Sequence, residues 1–235
     1  MKTLVAVFVY NEGQKLDTVL NRFPTEREYD VVVMDDGSTD GAQHVVKNFP
    51  FAYLRHEQNR GAGAAIRTVI DYANQNAYDI LVLIAGNGKM NPMEIPSLVQ
   101  PVRDGICDLT QGSRYMPGGK SENLPLFRRV SIPIFTFIVR VLAGYKTSDV
   151  TCGFRAVRLD IVRQPGVDLS QAWLDRYEME YYIVYKAVKL GYRTMDIPVA
   201  MTYPPEKKNY SKIPAFTGWW SMIRPWIYLS LGIRK

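Results

Sequence analysis

Apolar, β-branched runs alternate with helical patterns along the first half of the chain. Residues 4–9, 30–34 and 78–84 are mostly apolar, which is typical of parallel strands covered on both faces. Helical spacing follows the first run at 16–22, and a glycine-rich turn opens a longer helix after residue 59. This order predicts βαβ units, and hence an α/β fold with a mixed, mostly parallel sheet flanked by helices.

Polar and glycine residues follow three of these strands, in the segments 10–12 (YNE), 35–38 (DDGS) and 86–89 (GNGK). The carboxyl ends of parallel strands lie at one edge of a sheet, where open α/β sheets bind their ligands. We therefore expect the three segments to border one crevice. The turn at 59–63 (NRGAG) stands at a helix start, where backbone N–H groups favour phosphates.

Weaker patterns complete the fold prediction. Helical spacing predicts helices at 41–48, 124–143 and 177–190, and apolar runs predict strands at 52–55, 109–114 and 192–201. The segment 149–162 is expected to form a strand and a turn.

The charge balance favours an anionic partner. The 235 residues include 29 Lys and Arg against 23 Asp and Glu, which gives a formal net charge of +6. The basic residues are scattered and form no single stripe, so we do not expect nucleic-acid binding. Two cysteines without close spacing predict neither a disulfide framework nor a zinc site. No apolar run reaches the length of a membrane span, and no leader sequence is expected.

The order of the motifs is more specific than any one of them. The sequence runs VYNEG, VVMDDGSTDG, NRGAGAAIR, GSRY, DVTCGFRAV, EMEYY and YSKI. This set resembles the family 2 glycosyltransferases of the GT-A (Rossmann-like) fold, and most closely their dolichyl-phosphate mannose synthase-like branch, over about residues 3–213. The resemblance implies an inverting transferase with a UDP- or GDP-sugar donor and a polyprenyl phosphate acceptor. It also divides the chain into a catalytic domain, 1–213, and an aromatic, basic tail, 214–235.

Site residues are carried over from the same resemblance. It implies a nucleotide-sugar site near the first, second and third motifs and an acceptor site near the later ones. The donor-site residues are Val9, Tyr10, Glu12, Asp36, Asn59, Gly61, Gly63 and Asn87. The acceptor-site residues are Arg128, Arg129 and Glu180, and the residues given a catalytic role are Lys89, Arg114 and Lys212.

One motif departs from the family pattern. Where the family has Asp-x-Asp, which holds Mg²⁺ or Mn²⁺, this chain has Ala85-Gly86-Asn87. Two lost carboxylates remove most of the attraction for a divalent cation. Three readings stay open: Lys89 replaces the metal, helped by the N–H groups of Gly86 and Gly88; a weak metal persists on Asn87 and the donor phosphates; or the site is inactive.

The acceptor is also open. A lipid phosphate is already an anion and needs no general base, whereas a sugar hydroxyl must lose a proton to one. The second case would require a carboxylate, for which the candidates are Asp149, Asp175, Glu178 and Glu180. A third alternative is a catalytically inactive subunit that binds nucleotide or lipid.

Membrane contact is expected at two segments. The helical pattern around 130–145 and the tail with Trp219, Trp220 and Trp226 carry the mixture of aromatic and basic side chains typical of the membrane interface. The alternative is that these aromatics pack against the catalytic domain. We expect peripheral attachment at the cytoplasmic face of a membrane; a homo-oligomer or a membrane partner protein is left open.

Overall fold

A seven-stranded mixed sheet forms the centre of the computed structural model, which describes residues 1–205 and 217–234. Nine strands and seven α-helices occur in that part of the chain. In order they are β1 Thr3–Val9, α1 Gln14–Leu20, β2 Asp30–Asp35, α2 Ala42–Val46, β3 Ala52–Arg55, α3 Ala62–Gln75, β4 Ile80–Ala85, α4 Ile95–Arg103, β5 Leu109–Ser113, β6 Lys120–Glu122, α5 Leu126–Ala143, β7 Arg155–Arg158, α6 Glu178–Lys189, β8 Thr194–Pro198, β9 Ala200–Thr202 and α7 Thr217–Ser230.

The strand order is β3-β2-β1-β4-β7-β5-β8. The first four strands are parallel, and β7 runs antiparallel between β4 and β5. Helices cover both faces, so alternate residues of β1 enter different cores: Leu4 packs in one buried cluster and Val5 in the other. This two-sided burial explains the continuous apolar runs. The predicted α/β fold with a mixed, mostly parallel sheet is confirmed.

The predicted strand at 192–201 is wrong in one respect. The chain forms β8 beside β5 and then leaves the main sheet, so that β9 pairs with β6 in a small parallel sheet. The break falls at Pro198, which has no N–H for a ladder, and the N–H of Val199 donates to Ser113 O at 3.0 Å. The sequence patterns also failed to predict β6 and α4. Prolines within α4 hide its helical spacing.

The last helix packs against α5 and α6. Trp226 is fully buried and stacks on Tyr145, with ring centroids 6.2 Å apart. Trp226 therefore packs against the domain, which is the alternative to membrane contact given above, whereas Trp220 is about half exposed. The side chain of Trp219 and the proposed boundary at 213 lie outside the described residues, so the separate tail stays a prediction. Among the described residues, no helix has both the length and the apolarity that crossing a bilayer requires.

Candidate active site

A cleft of about 680 Å³ opens at the carboxyl ends of β1, β2 and β4. Its volume is that of a typical small-ligand site. It brings together most of the predicted site residues: Val9, Tyr10, Glu12, Asp36, Asn59, Gly61, Asn87, Lys89, Arg114, Arg128 and Glu180. Gly63 and the exposed Arg129 do not line it, and Lys212 lies outside the described residues.

Asp36 is buried and organises the glycine-rich turn. Its Oδ1 accepts the N–H of Arg60 at 2.9 Å and lies 2.7 Å from His56 Nδ1. Its Oδ2 accepts the N–H of Gly61 at 2.8 Å and the side-chain amide of Asn59 at 3.0 Å. The carboxylate thus fixes the loop that precedes α3 on the floor of the cleft.

The glycines of that turn allow a close backbone contact. A Cβ added at Gly63 would lie 1.8 Å from the carbonyl oxygen of Leu174, and one added at Gly61 would lie 2.3 Å from that of Asp175. The N–H of Ala64, in the first turn of α3, donates to the same Asp175 oxygen at 3.0 Å. Gly63 therefore serves helix packing behind the cleft.

The turn after β4 presents a cation. Asn87 Oδ1 accepts the backbone N–H of Lys89 at 3.2 Å, and Lys89 O accepts the N–H of Thr202. The N–H of Gly86 donates to Phe8 O at 2.8 Å, so the expectation that it assists Lys89 is wrong. Lys89 Nζ lies 5.4 Å from the centre of the Tyr203 ring, within the cleft.

The electrostatics of Lys89 reflect this position. The pKa of Lys89 is lowered to about 8, mainly by burial and next by the positive charge of Arg128, whereas Glu12 opposes the shift. Lys15 and Arg114 also act to lower it. Several positive groups therefore meet in one cleft, as in an anion site.

The donor atoms at this turn do not fit the Mg²⁺ or Mn²⁺ that the resemblance implies. Hard divalent cations take several oxygen ligands, usually with carboxylates among them. The side-chain oxygen of Asn87 is used within the turn, and Ala85 offers none. Across residues 1–205 and 217–234, no group of three His, Cys, Asp or Glu side chains is placed to hold a metal ion.

Arg114 is buried and paired within the protein. Its Nε donates to Asp149 Oδ2 at 2.6 Å and its Nη2 to Asp149 Oδ1 at 2.8 Å, while Thr151 and Tyr203 accept further hydrogen bonds. Burial alone would lower the pKa of Arg114, but the charge and hydrogen bonds of Asp149 raise it overall. Its positive charge is compensated by Asp149, so Arg114 shapes the cleft wall.

The four candidate carboxylate bases lie in four different places, one of which is the Asp149 pair with Arg114. Glu180 lines the cleft and accepts from Arg155 Nη1 at 2.7 Å; burial raises its pKa, and Arg155 partly offsets this. Asp175 pairs with Arg67 at 2.8 Å, outside the cleft. Glu178 is fully buried and pairs with Arg224 of α7.

The sequence places Asn11 in the segment 10–12 beside the crevice but does not predict its role, and it does not indicate several residues that line the cleft. Asn11 has a positive φ of 49°, and it joins two loops: its N–H donates to Ser38 Oγ at 2.9 Å, and its Oδ1 accepts the N–H of Thr39 at 2.8 Å. An Asn directly after a strand is the only local signal for this role. The cleft is further lined by residues whose positions depend on distant packing: Arg60, Thr151, Arg176, Tyr177, Tyr203 and Met222.

Similarity to known proteins agrees with this arrangement. The chain matches the family model "Glycosyl transferase family 2" over residues 4–165. It is 30% identical over 205 residues to undecaprenyl-phosphate mannosyltransferase of Micrococcus luteus, covering 85% of this chain and 83% of the relative. It is 29% identical over 208 residues to polyprenol monophosphomannose synthase of Mycolicibacterium smegmatis, covering 86% and 77%.

A solved structure supports the fold. Glucosyl-3-phosphoglycerate synthase from Mycobacterium tuberculosis, in complex with Mn²⁺, UDP and phosphoglyceric acid, superposes with a TM-score of 0.68 at 15% identity. The match covers 100% of this chain and 80% of that one.

Proposed function

This chain belongs to glycosyl transferase family 2, and we propose that it moves a sugar from a nucleotide diphosphate donor to a polyprenyl phosphate at a membrane surface. The relatives named for undecaprenyl phosphate and polyprenol monophosphomannose support a lipid phosphate as acceptor. The proposal of a nucleotide-sugar donor rests on the cleft at the carboxyl ends of β1, β2 and β4.

The main support for a lipid acceptor is the exposed outward face of α5. The inward face of this helix is buried, whereas the opposite side presents an apolar stripe at helical spacing, with side chains 55–73% exposed: Leu126, Phe127, Val130, Ile134, Phe137 and Val141. A contiguous apolar stripe on a soluble surface marks an interaction site. The exposed Arg129 and Arg140 on the same helix suit anionic lipid headgroups, so the stripe fits the interface of a bilayer.

Arg128 links this face to the cleft. It lies on α5 between Phe127 and Arg129, yet its side chain lines the cleft. A lipid phosphate whose chain stays in the membrane would therefore enter beside a cation. Its oxygen attacks the anomeric carbon, the bond from that carbon to the diphosphate breaks, and the electron pair leaves with the nucleoside diphosphate. No proton has to be removed, so this reaction needs no general base.

A transfer assay tests the proposal. Vesicles containing undecaprenyl or dolichyl phosphate are incubated with UDP- and GDP-sugars, and the lipid fraction is analysed for a sugar phosphate by mass spectrometry. The expected product is a lipid-linked monosaccharide that forms only with the phosphorylated lipid. Vesicles with the corresponding unphosphorylated alcohol are the control.

A second function is favoured by one observation, the position of Glu180 in the cleft with a raised pKa. Such a carboxylate suits a general base for a sugar hydroxyl. Transfer to a soluble saccharide, abolished in Glu180→Gln, with no product on the lipid phosphate, would support this reading against the first. Donor binding without any transfer would support an inactive, binding-only subunit.

A further inference from the structure

We propose that Lys89 and Arg128 bind the diphosphate of the sugar nucleotide directly, without a bridging divalent cation. The inference rests on the proposed function, because it assigns the diphosphate-binding groups within the same cleft. It concerns a property in which this chain differs from the metal-binding pattern that the resemblance implies.

The first argument is the lack of suitable metal ligands at the turn after β4. Of its side chains, Asn87 directs its oxygen to the N–H of Lys89, and Ala85 has no donor atom. The carboxylates that line the cleft each have a basic or backbone partner: Asp36 holds the glycine-rich turn, Glu180 pairs with Arg155, and Glu12 lies 3.8 Å from Lys15 Nζ. A cation seated here would lack the oxygen shell that a hard metal requires.

The second argument is the convergence of like charges. Lys89 comes from the turn after β4 and Arg128 from α5, and both line the cleft. The two charges repel each other, since the positive charge of Arg128 lowers the pKa of Lys89. A divalent cation would add two more positive charges to this arrangement, whereas a diphosphate would satisfy both side chains.

The position of Arg114 strengthens the assignment. Its guanidinium is held by Asp149, Thr151 and Tyr203, so its charge is balanced inside the protein. The charge of Arg114 is thus directed to Asp149, and we assign the diphosphate to Lys89 and Arg128, which line the same cleft.

Charge development during transfer defines what these two residues would do. As the bond from the anomeric carbon to the diphosphate breaks, negative charge grows on the departing oxygen. An ammonium and a guanidinium held in a partly water-excluded cleft stabilise that charge without moving. This is the role that a bridging cation otherwise has in such a transfer.

Calorimetric titration of the full chain with UDP and GDP, once in EDTA and once in Mn²⁺, tests the inference. We expect one of the two nucleotides to bind in EDTA, with a Kd that Mn²⁺ changes by less than about twofold. Lys89→Met, which keeps the apolar stem, and Arg128→Met should each weaken binding in EDTA by roughly tenfold or more, the scale of one charge-assisted phosphate contact. Lys47→Ala, an exposed lysine outside the cleft, is the matched control and should bind as the native chain does.

A reverse substitution sharpens the test. Ala85→Asp combined with Asn87→Asp restores two carboxylates to the turn and should make nucleotide binding respond to Mn²⁺ by at least tenfold. Thermal unfolding of every variant without ligand confirms that the fold is kept.

The outcomes separate the inference from the proposed function. Binding that occurs only with Mn²⁺, or Met variants that bind as tightly as the native chain, would overturn the metal-free site and leave the transferase proposal standing. If neither nucleotide binds under either condition, the donor assignment itself fails, and this inference fails with it.

Discussion

Arg114 and Asp149 form a two-point ion pair that is almost completely shielded from solvent. The Nε to Oδ2 distance is 2.6 Å and the Nη2 to Oδ1 distance is 2.8 Å, with side-chain exposures of 2% and 0%. The pair ties the end of β5 to the loop before β7 at the wall of the cleft. A residue that the resemblance gave a catalytic role thus holds the shape of the site.

Breaking this pair should be costly. Asp149→Asn leaves the buried guanidinium without a counter-charge, and the expected loss in the free energy of unfolding is about 3–5 kcal/mol. Urea denaturation measures it. Asp160→Asn, at a carboxylate that is 47% exposed and paired with Arg158 and Arg163, is the control and should cost no more than about 1 kcal/mol. Equal effects of the two substitutions would contradict the role of burial.

Gly63→Ala should destabilise the fold severely. The new methyl would lie 1.8 Å from Leu174 O, and backbone atoms on both sides must move to accept it. Gly191→Ala is the control, because its φ of +80° opposes a side chain but no atom lies within 4 Å of the added carbon. The control should lose about 1–2 kcal/mol. Thermal unfolding should show a clearly larger drop in Tm for Gly63→Ala, and a smaller one would refute the contact.

Nucleotide binding should weaken as the pH rises through about 8. The pKa of Lys89 is lowered to about 8, so its charged fraction falls from about nine-tenths at pH 7 to about one-tenth at pH 9. The Kd for the nucleotide should therefore rise towards tenfold per pH unit above that point. Glu12, Lys15, Arg114 and Arg128 are the other charged groups that act on Lys89.

Lys89→Arg is the informative comparison for this pH effect. Its guanidinium stays charged over the whole range, so the rise in Kd should disappear; a rise that persists would assign the effect to another group. For the ligand-free chain the sign is opposite. The destabilising contribution of Lys89 is fully present below pH 8 and is lost between pH 8 and the ordinary value of 10.5, so stability from this group increases over that interval.

Charging the outer face of α5 should release the protein from membranes. Ile134→Glu combined with Phe137→Glu places two carboxylates on the stripe, and binding to vesicles containing anionic lipid should fall by roughly tenfold or more. The free energy of unfolding should change little, because the two side chains are 56% and 65% exposed. Ile106→Glu, 59% exposed in the loop after α4, is the control. Unchanged co-sedimentation of the double variant would remove the support for a membrane acceptor.

The first half of the fold was predictable because two-sided burial leaves a direct mark on the sequence. The central strands of the parallel part, β1, β2 and β4, are apolar at every interior position, and the polar residues that follow them gather at one edge. The sequence therefore predicts that Tyr10, Asp36 and Lys89 border one crevice, and all three line the cleft.

The second half was less predictable because its key contacts are distant in sequence. Arg114 and Asp149 are 35 positions apart, and nothing in the GSRY motif indicates a buried partner. Glu178 resembles a surface residue of a helix until α7 covers it with Arg224. Trp226 carries the same ambiguity, since an aromatic side chain near basic residues suits both a membrane interface and a core.

The contact between Gly63 and Leu174 also limits how this enzyme type can be recombined. Chimeras that join the N-terminal portion of one relative to the C-terminal portion of another must match at this crossing, where the main chain of α3 touches that of residues 174–176. A crossover point anywhere between α3 and Leu174 would separate the two sides of the contact. Exchanges of donor preference by segment swapping should therefore carry residues 172–176 along with α3.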